Sequence, residues 1–173
     1  MNRKILLCVT GSIAAYKAAE LVRLFVRAND EVKVLMTAAA TKFVSPLTFR
    51  TLSKNLVVVD DFDDPCRWEV GHVSLALWAD AVVVAPATAN TIAKMRCGIA
   101  DNAVTSALLA TKAPIIVAPA MNDGMWDNAA TKENIAVLKE RGVKIVGPVD
   151  GSLACGTTGK GHMSEPIDIF NAL

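Results

Sequence analysis

Short, mostly apolar runs, each cut off by a turn, recur along this chain and limit what it can fold into. They are Lys4–Val9, Glu31–Thr37, Ala81–Ala85, Ile115–Ala118 and Val143–Val146. Each is too short for a buried helix and is built from Val, Ile, Leu, Met and Ala. The continuous apolarity of Ile115–Ala118, in place of alternation with polar residues, is the pattern of a strand covered on both faces. Helical stretches fall between the runs: one from the Gly11–Lys17 turn to about Ala28, one over Pro46–Leu52, and an amphipathic one over Ala129–Arg141. Strands alternating with helices predict a doubly wound α/β domain, Rossmann-like or flavodoxin-like, with a mostly parallel sheet between two helical layers.

At 173 residues the chain suffices for one domain with a proper core, so residues 1–173 are read as a single unit. Hydrophobic residues make up 53% and aromatic ones 5%, which fits a core of small aliphatic side chains between helices. Lys and Arg number 18 against 17 for Asp and Glu, a balance that points to neither nucleic acid nor an anionic membrane as partner. No apolar run reaches the length of a membrane span, and Met1-Asn2-Arg3-Lys4 leads directly into a strand in place of a signal-peptide core. Cys8, Cys66, Cys97 and Cys155 contain no Cys-x-x-Cys pair, so neither zinc nor a disulfide framework is expected. A cytoplasmic protein is the expectation.

The ends of the runs carry the chemistry. In an open α/β sheet, ligands bind beyond the carboxyl ends of the strands. The first run ends in Thr10-Gly11-Ser12-Ile13, with one glycine where a dinucleotide fingerprint needs three. The second ends in Met36-Thr37, without the acidic residue that would hold a ribose diol, so NAD is not expected. The Gly-Ser turn still offers N–H groups and a hydroxyl to an anion at a helix start, and Thr37 adds another hydroxyl. The alternative is that Gly11 relieves a tight turn and Ser12 caps a helix. Thr88, Asn90 and Thr91 cluster polar groups after the third run, where they either cap a helix or bind a phosphate. Asn122 and Asp123 follow the fourth; a carboxamide there both donates and accepts.

The remaining segments are mixed. Leu56–Val59 reads as a small strand, and Asp60–Pro65 as a solvated acidic loop whose adjacent carboxylates lack metal-ligand spacing. His72 opens a short helical stretch, Gly71–Asp80, as a cap, a surface residue or a catalyst. The tail Gly151–Met163 is Gly-rich and reads as a loop or mobile flap carrying Cys155, which is either a minor core residue or a catalyst.

These segments together resemble one family. Gly-Ser-Ile at residues 11–13, His72 in a His-x-x-Leu context, the pair Pro86-Ala-Thr-Ala-Asn-Thr and Pro119-Ala-Met-Asn-x-x-Met-Trp, and Leu153-Ala-Cys-Gly followed by Gly-x-Gly occur in the order of the homo-oligomeric flavin-containing cysteine decarboxylases. The resemblance covers nearly the whole chain and implies FMN as cofactor. It implies cofactor contacts at Gly11, Ser12, Ile13, Thr37, Thr88, Ala89, Asn90, Thr91, Ala120 and Met121, with the phosphate held by the Thr88–Thr91 segment. By the same resemblance His72 assists substrate activation, Asn122 binds the substrate carboxylate, and Cys155, on a substrate flap over residues 151–163, protonates carbon. The family commonly has Arg where this chain has His162, so His162 is not carried over as a site.

The implied reaction is decarboxylation of 4′-phosphopantothenoylcysteine to 4′-phosphopantetheine in coenzyme A synthesis. Direct loss of CO₂ from a cysteine carboxylate leaves a carbanion without an electron sink. Oxidation of the thiol to a thioaldehyde first provides one, and the enethiolate left by decarboxylation is then reduced. The resemblance further implies a homotrimer or a larger assembly of trimers, with a fused or separate phosphopantothenate–cysteine ligase as partner. Rival readings are a peptidyl-cysteine decarboxylase of lanthipeptide maturation, an FMN-binding regulatory subunit, and a flavin prenyltransferase. The Cys155 segment favours the small-molecule enzyme.

Overall fold

A computed structural model describes residues 2–59, 71–152, 156 and 158–173. The acidic segment Asp60–Pro65 and Cys155 therefore lie outside the described residues. The main sheet has six strands: β1 (Lys4–Val9), β2 (Glu31–Met36), β3 (Val57–Val58), β4 (Ala81–Ala87), β5 (Ile115–Pro119) and β6 (Lys144–Ile145). Their order is β3-β2-β1-β4-β5-β6, and every pairing is parallel. This is the Rossmann order, which resolves the expected choice between Rossmann-like and flavodoxin-like windings. The order reverses between β1 and β4, so the crevice for a ligand opens there.

Helices cover both faces: α1 (Ala15–Arg27), α2 (Pro46–Ser53), α3 (Gly71–Trp78), α4 (Ala89–Cys97), α5 (Ala103–Ala110), α6 (Asp123–Asp127), α7 (Ala129–Glu140) and α8 (Pro166–Asn171). Along β1, Ile5, Leu7 and Val9 enter the core against α1 and α2, whereas Leu6 and Cys8 enter the core under α3, α4, α5 and α7. All five are fully buried, which is why the run shows no polar alternation. Burial also pushes the Cys8 thiol up to about 12, so Cys8 is an inert core residue. At the amino edge, Arg3 clasps Asp30 through its backbone N–H and its guanidinium, and Lys4 is tied to Asp80.

Two helices absent from the sequence reading complete the layers. Helix α5 is apolar nearly all round, so it shows no stripe, and its capping box joins Asn102 to Thr105 where the usual signature ends in Glu or Gln. Helix α8 starts with Pro166 at its first turn and buries Pro166 and Ile169 beside α1. The last main-sheet strand is also shorter than the expected Val143–Val146.

The largest correction concerns the tail. In place of a loop, β7 (Val149–Ser152) and β8 (Thr158–His162) pair antiparallel as a separate ribbon. Its glycines serve close approach. A Cβ on Gly161 would collide with the Met121 carbonyl oxygen, and one on Gly159 would lie 2.8 Å from the Asp123 side chain. Met121 N–H donates to the Gly161 carbonyl at 3.0 Å, fastening the ribbon to the end of β5. Gly161→Ala is accordingly expected to destabilise the protein by about 2 kcal/mol, the scale of an overpacked contact. A urea titration checks this, and unchanged stability would mean that the ribbon is not held there.

Candidate functional site

The carboxyl ends of β1, β2, β4 and β5 are joined side to side by a row of hydrogen bonds. Thr37 N–H donates to Val9 O at 3.0 Å, Thr10 N–H to Pro86 O at 3.3 Å, and Ala120 N–H to Ala87 O at 3.0 Å. Ser12, Thr37, Thr88 and Asn122 thus lie along one edge of one sheet, as the sequence reading required. Asp80, just after α3, is bonded to Lys4 at the opposite edge. His72 is half-buried in the first turn of α3, the helix that ends just before Asp80.

At the first turn, Ser12 N–H bonds to Thr10 O, and the Ser12 hydroxyl accepts from Ala14 N–H at 3.3 Å. Helix α1 has no side-chain cap from its N-cap residue, Ala14, so Ser12 shapes the turn before the helix without capping it. Among the described residues, the N–H groups of Gly11 and Ile13 have no protein partner, which leaves two donors at this helix start. A Cβ on Gly11 would lie 2.5 Å from the Ala39 Cβ. The glycine's steric role is thus to let the turns after β1 and β2 meet, in agreement with the packing alternative. Thr37 is half-buried, and its hydroxyl accepts from Ala40 N–H at 3.2 Å, so it braces its own turn.

The turn after β4 opens α4. Thr88 is the N-cap, its hydroxyl accepting from Thr91 N–H at 3.3 Å, and its own N–H donates to the Thr10 hydroxyl at 3.1 Å. Among the described residues this leaves the N–H groups of Ala89 and Asn90 without a protein partner at the helix mouth. The exposed Asn90 side chain stands beside them, whereas Thr91 is buried with its hydroxyl 3.2 Å from that of Thr88. Capping and anion binding are therefore compatible here, because the cap uses different N–H groups.

After β5, Ala120 is buried, Met121 is half-buried against the ribbon, and Asn122 is the exposed N-cap of α6. Its amide oxygen accepts from Gly124 N–H at 2.9 Å, which turns the carbonyl back onto the helix and fixes the carboxamide's orientation. Trp126, four residues on, is buried under the Lys132 ammonium, 4.5 Å from the ring centre.

The sequence reading missed two residues. Lys17 lies on the buried face of α1 among Ala15, Ala18 and Leu21. Its ammonium meets His162 Nε2 at 2.7 Å, the Met163 carbonyl at 3.2 Å and Glu165 Oε1 at 2.7 Å, one acceptor for each of its three N–H bonds. His162, in the position where an arginine was expected, thus accepts from a cation and anchors the end of the ribbon to α1. A lysine on an apolar helix face was the sequence signal. The other residue is Thr10, whose hydroxyl links the turns after β1 and β4. No helix among the described residues is long and apolar enough to cross a membrane.

A family model described as Flavoprotein matches residues 1–173. The coenzyme A biosynthesis bifunctional protein CoaBC of Haemophilus influenzae is 46% identical over 172 residues, 99% of this chain and 43% of that protein. The chain thus spans less than half the length of that curated relative. Among solved structures, a cysteine-to-serine mutant of PPC decarboxylase complexed with pantothenoylaminoethenethiol superposes with a TM-score of 0.89 at 33% identity, covering 99% of this chain and 96% of that one. The FMN binding protein AtHal3 superposes with a TM-score of 0.87 at 34% identity, covering 99% and 95%.

Proposed function

Because the chain belongs to the Flavoprotein family, we propose that it is an FMN-dependent decarboxylase that converts 4′-phosphopantothenoylcysteine to 4′-phosphopantetheine. The observation that supports this reading is the pair of helix starts, α1 and α4, whose N–H groups gather at the carboxyl edge where the strand order reverses, with the Asn122 turn on the same edge. The names of the relatives support the substrate, and the ligand of the PPC decarboxylase mutant is a decarboxylated ethenethiol.

The residues fit FMN. A phosphate monoester needs several neutral donors and a positive helix end, and the N–H groups of Gly11, Ile13, Ala89 and Asn90 supply them at the starts of α1 and α4. A dinucleotide fits worse, because Ser12 and Ile13 carry side chains where its fingerprint has glycine and β2 ends without a carboxylate. Thr88, Asn90 and the Gly11–Ile13 turn would hold the phosphate, with Thr37, Ala120 and Met121 lining the same edge. When bound, FMN supplies the two-electron oxidation and the later reduction.

The chain's own groups do the rest in this reading. Asn122 receives the substrate carboxylate through its amide N–H, since its oxygen is held by Gly124. His72 exchanges the proton that moves as the substrate thiol is activated. Cys155 delivers the final proton to carbon, and the 151–163 segment covers the substrate. A phosphopantothenate–cysteine ligase, fused or separate, supplies the substrate, and the assembly is a cytoplasmic homotrimer or a larger particle of trimers.

The purified protein is expected to be yellow, to release FMN on denaturation, and to scatter light as a trimer or a multiple of one. Incubation with the phosphorylated pantothenoyl-cysteine should yield a product lighter by CO₂. Release of FAD or a nicotinamide, or an unchanged substrate mass, would overturn the cofactor or the reaction respectively, and a monomer would overturn the assembly.

A further inference from the structure

Past the end of the β1–β4 ladder, one buried hydroxyl adds to the backbone pairing. The ladder runs from Ile5–Ala81 to Cys8–Val84 and stops there. Between Val84 and Ala87 the register of β4 against β5 also shifts, and Pro86 has no N–H with which to continue a ladder. Thr10, 1% exposed, adds its hydroxyl to its own backbone bond at this point. Its hydroxyl donates to the Pro86 carbonyl at 2.7 Å and accepts from Thr88 N–H at 3.1 Å. A threonine hydroxyl has one proton and two lone pairs, so it fills both roles at once. The next residue after Thr10 is Gly11, and Thr88 is the N-cap of α4.

We propose that Thr10 is the positioning residue that sets the spacing between the two anion-binding turns, Gly11–Ile13 and Thr88–Asn90, and so gives the site its preference for a phosphorylated flavin. This rests on the FMN reading of the same edge. Without the hydroxyl, Thr88 N–H has no acceptor and the start of α4 is no longer tied to the turn after β1. The Thr10 N–H bond to Pro86 O, at 3.3 Å, remains, so the strands stay together while the turn after β4 is released. The loss therefore falls on the phosphate in preference to the ring system.

The test titrates the parent, Thr10→Val and Thr10→Ser with FMN and with riboflavin, following flavin fluorescence, with urea stability read in parallel. Thr10→Val keeps the shape and removes the hydroxyl. It is expected to weaken FMN about tenfold, the scale of an unsatisfied N–H at the site, and riboflavin less than about twofold. Thr10→Ser restores the hydroxyl and is expected to bind FMN within about threefold of the parent. If Thr10→Val does not fold, Thr10→Ala carries the same comparison. Equal weakening of both flavins, no weakening of FMN, or failure of serine to restore binding would each overturn the positioning role. A parent that binds neither flavin would overturn the FMN reading, and this proposal with it, and is told apart because the parent itself fails.

Discussion

The His72→Asn protein is expected to keep its flavin and its fold and to lose at least about a hundredfold in turnover, the low end of what a positioned acid–base group contributes. His72 lies in the first turn of α3, and the proposed reaction gives it the proton transfer at the substrate thiol. An imidazole can both take and give a proton, and the asparagine amide keeps the size and polarity without that capacity. The residue is only half-buried, so the fold should change by less than about 0.5 kcal/mol. Two measurements separate chemistry from structure: FMN bound per chain, and CO₂ released per minute at saturating substrate. Parent-rate decarboxylation would leave His72 as a helix-start residue without a catalytic part. Loss of FMN along with turnover would place it in cofactor binding instead.

The sheet was legible because its strands are buried on both faces and the code for that is local. Ile5 to Val9 and Ala81 to Ala87 are apolar throughout for the reason that helices cover both sides. What failed in the sequence were elements whose signal depends on a partner. Helix α5 has no polar face, because it packs among α3, α4 and β2. The ribbon was read as loose because it is rich in glycine, yet Gly159 and Gly161 are small so that β8 can press against Asp123 and Met121. Glycine marks both flexibility and close approach, and only the neighbouring chain tells which.

The same division runs through the site. The resemblance to the flavin-containing cysteine decarboxylases is borne out by the family match and the structural neighbours. The motif residues near Ser12, Thr88 and Asn122 were found because strand ends and helix starts leave local signatures. Thr10 and Lys17 were not, since their hydrogen bonds reach 76 and 145 residues along the chain. Thr10 is not unusual where it stands, and Lys17 shows only as a lysine on an apolar helix face, without its partners. Each becomes informative only when the fold brings up the Pro86 carbonyl or the His162 ring.

The Cys155→Ser protein is expected to divide the reaction into two halves. In the proposed mechanism, oxidation of the substrate thiol and loss of CO₂ use the flavin, His72 and Asn122, but no proton donor from the 151–163 segment. The final reduction needs a hydride on one carbon and a proton on its neighbour. A thiol with an ordinary pKa near 8.5 is protonated at neutral pH and acidic enough to give that proton, whereas a serine hydroxyl is far too weak an acid. The variant should therefore release CO₂ for about one turnover and stop with reduced flavin and the oxidised enethiol. Mass spectrometry of a stoichiometric mixture should show a product two hydrogens lighter than phosphopantetheine. That species is the phosphorylated counterpart of the ethenethiol complexed with the cysteine-to-serine mutant of PPC decarboxylase. Fully reduced phosphopantetheine at the parent rate would remove Cys155 from the mechanism. No CO₂ at all would mean instead that the cysteine is required for holding the substrate before any bond breaks, and the proton would have to come from elsewhere on the same edge.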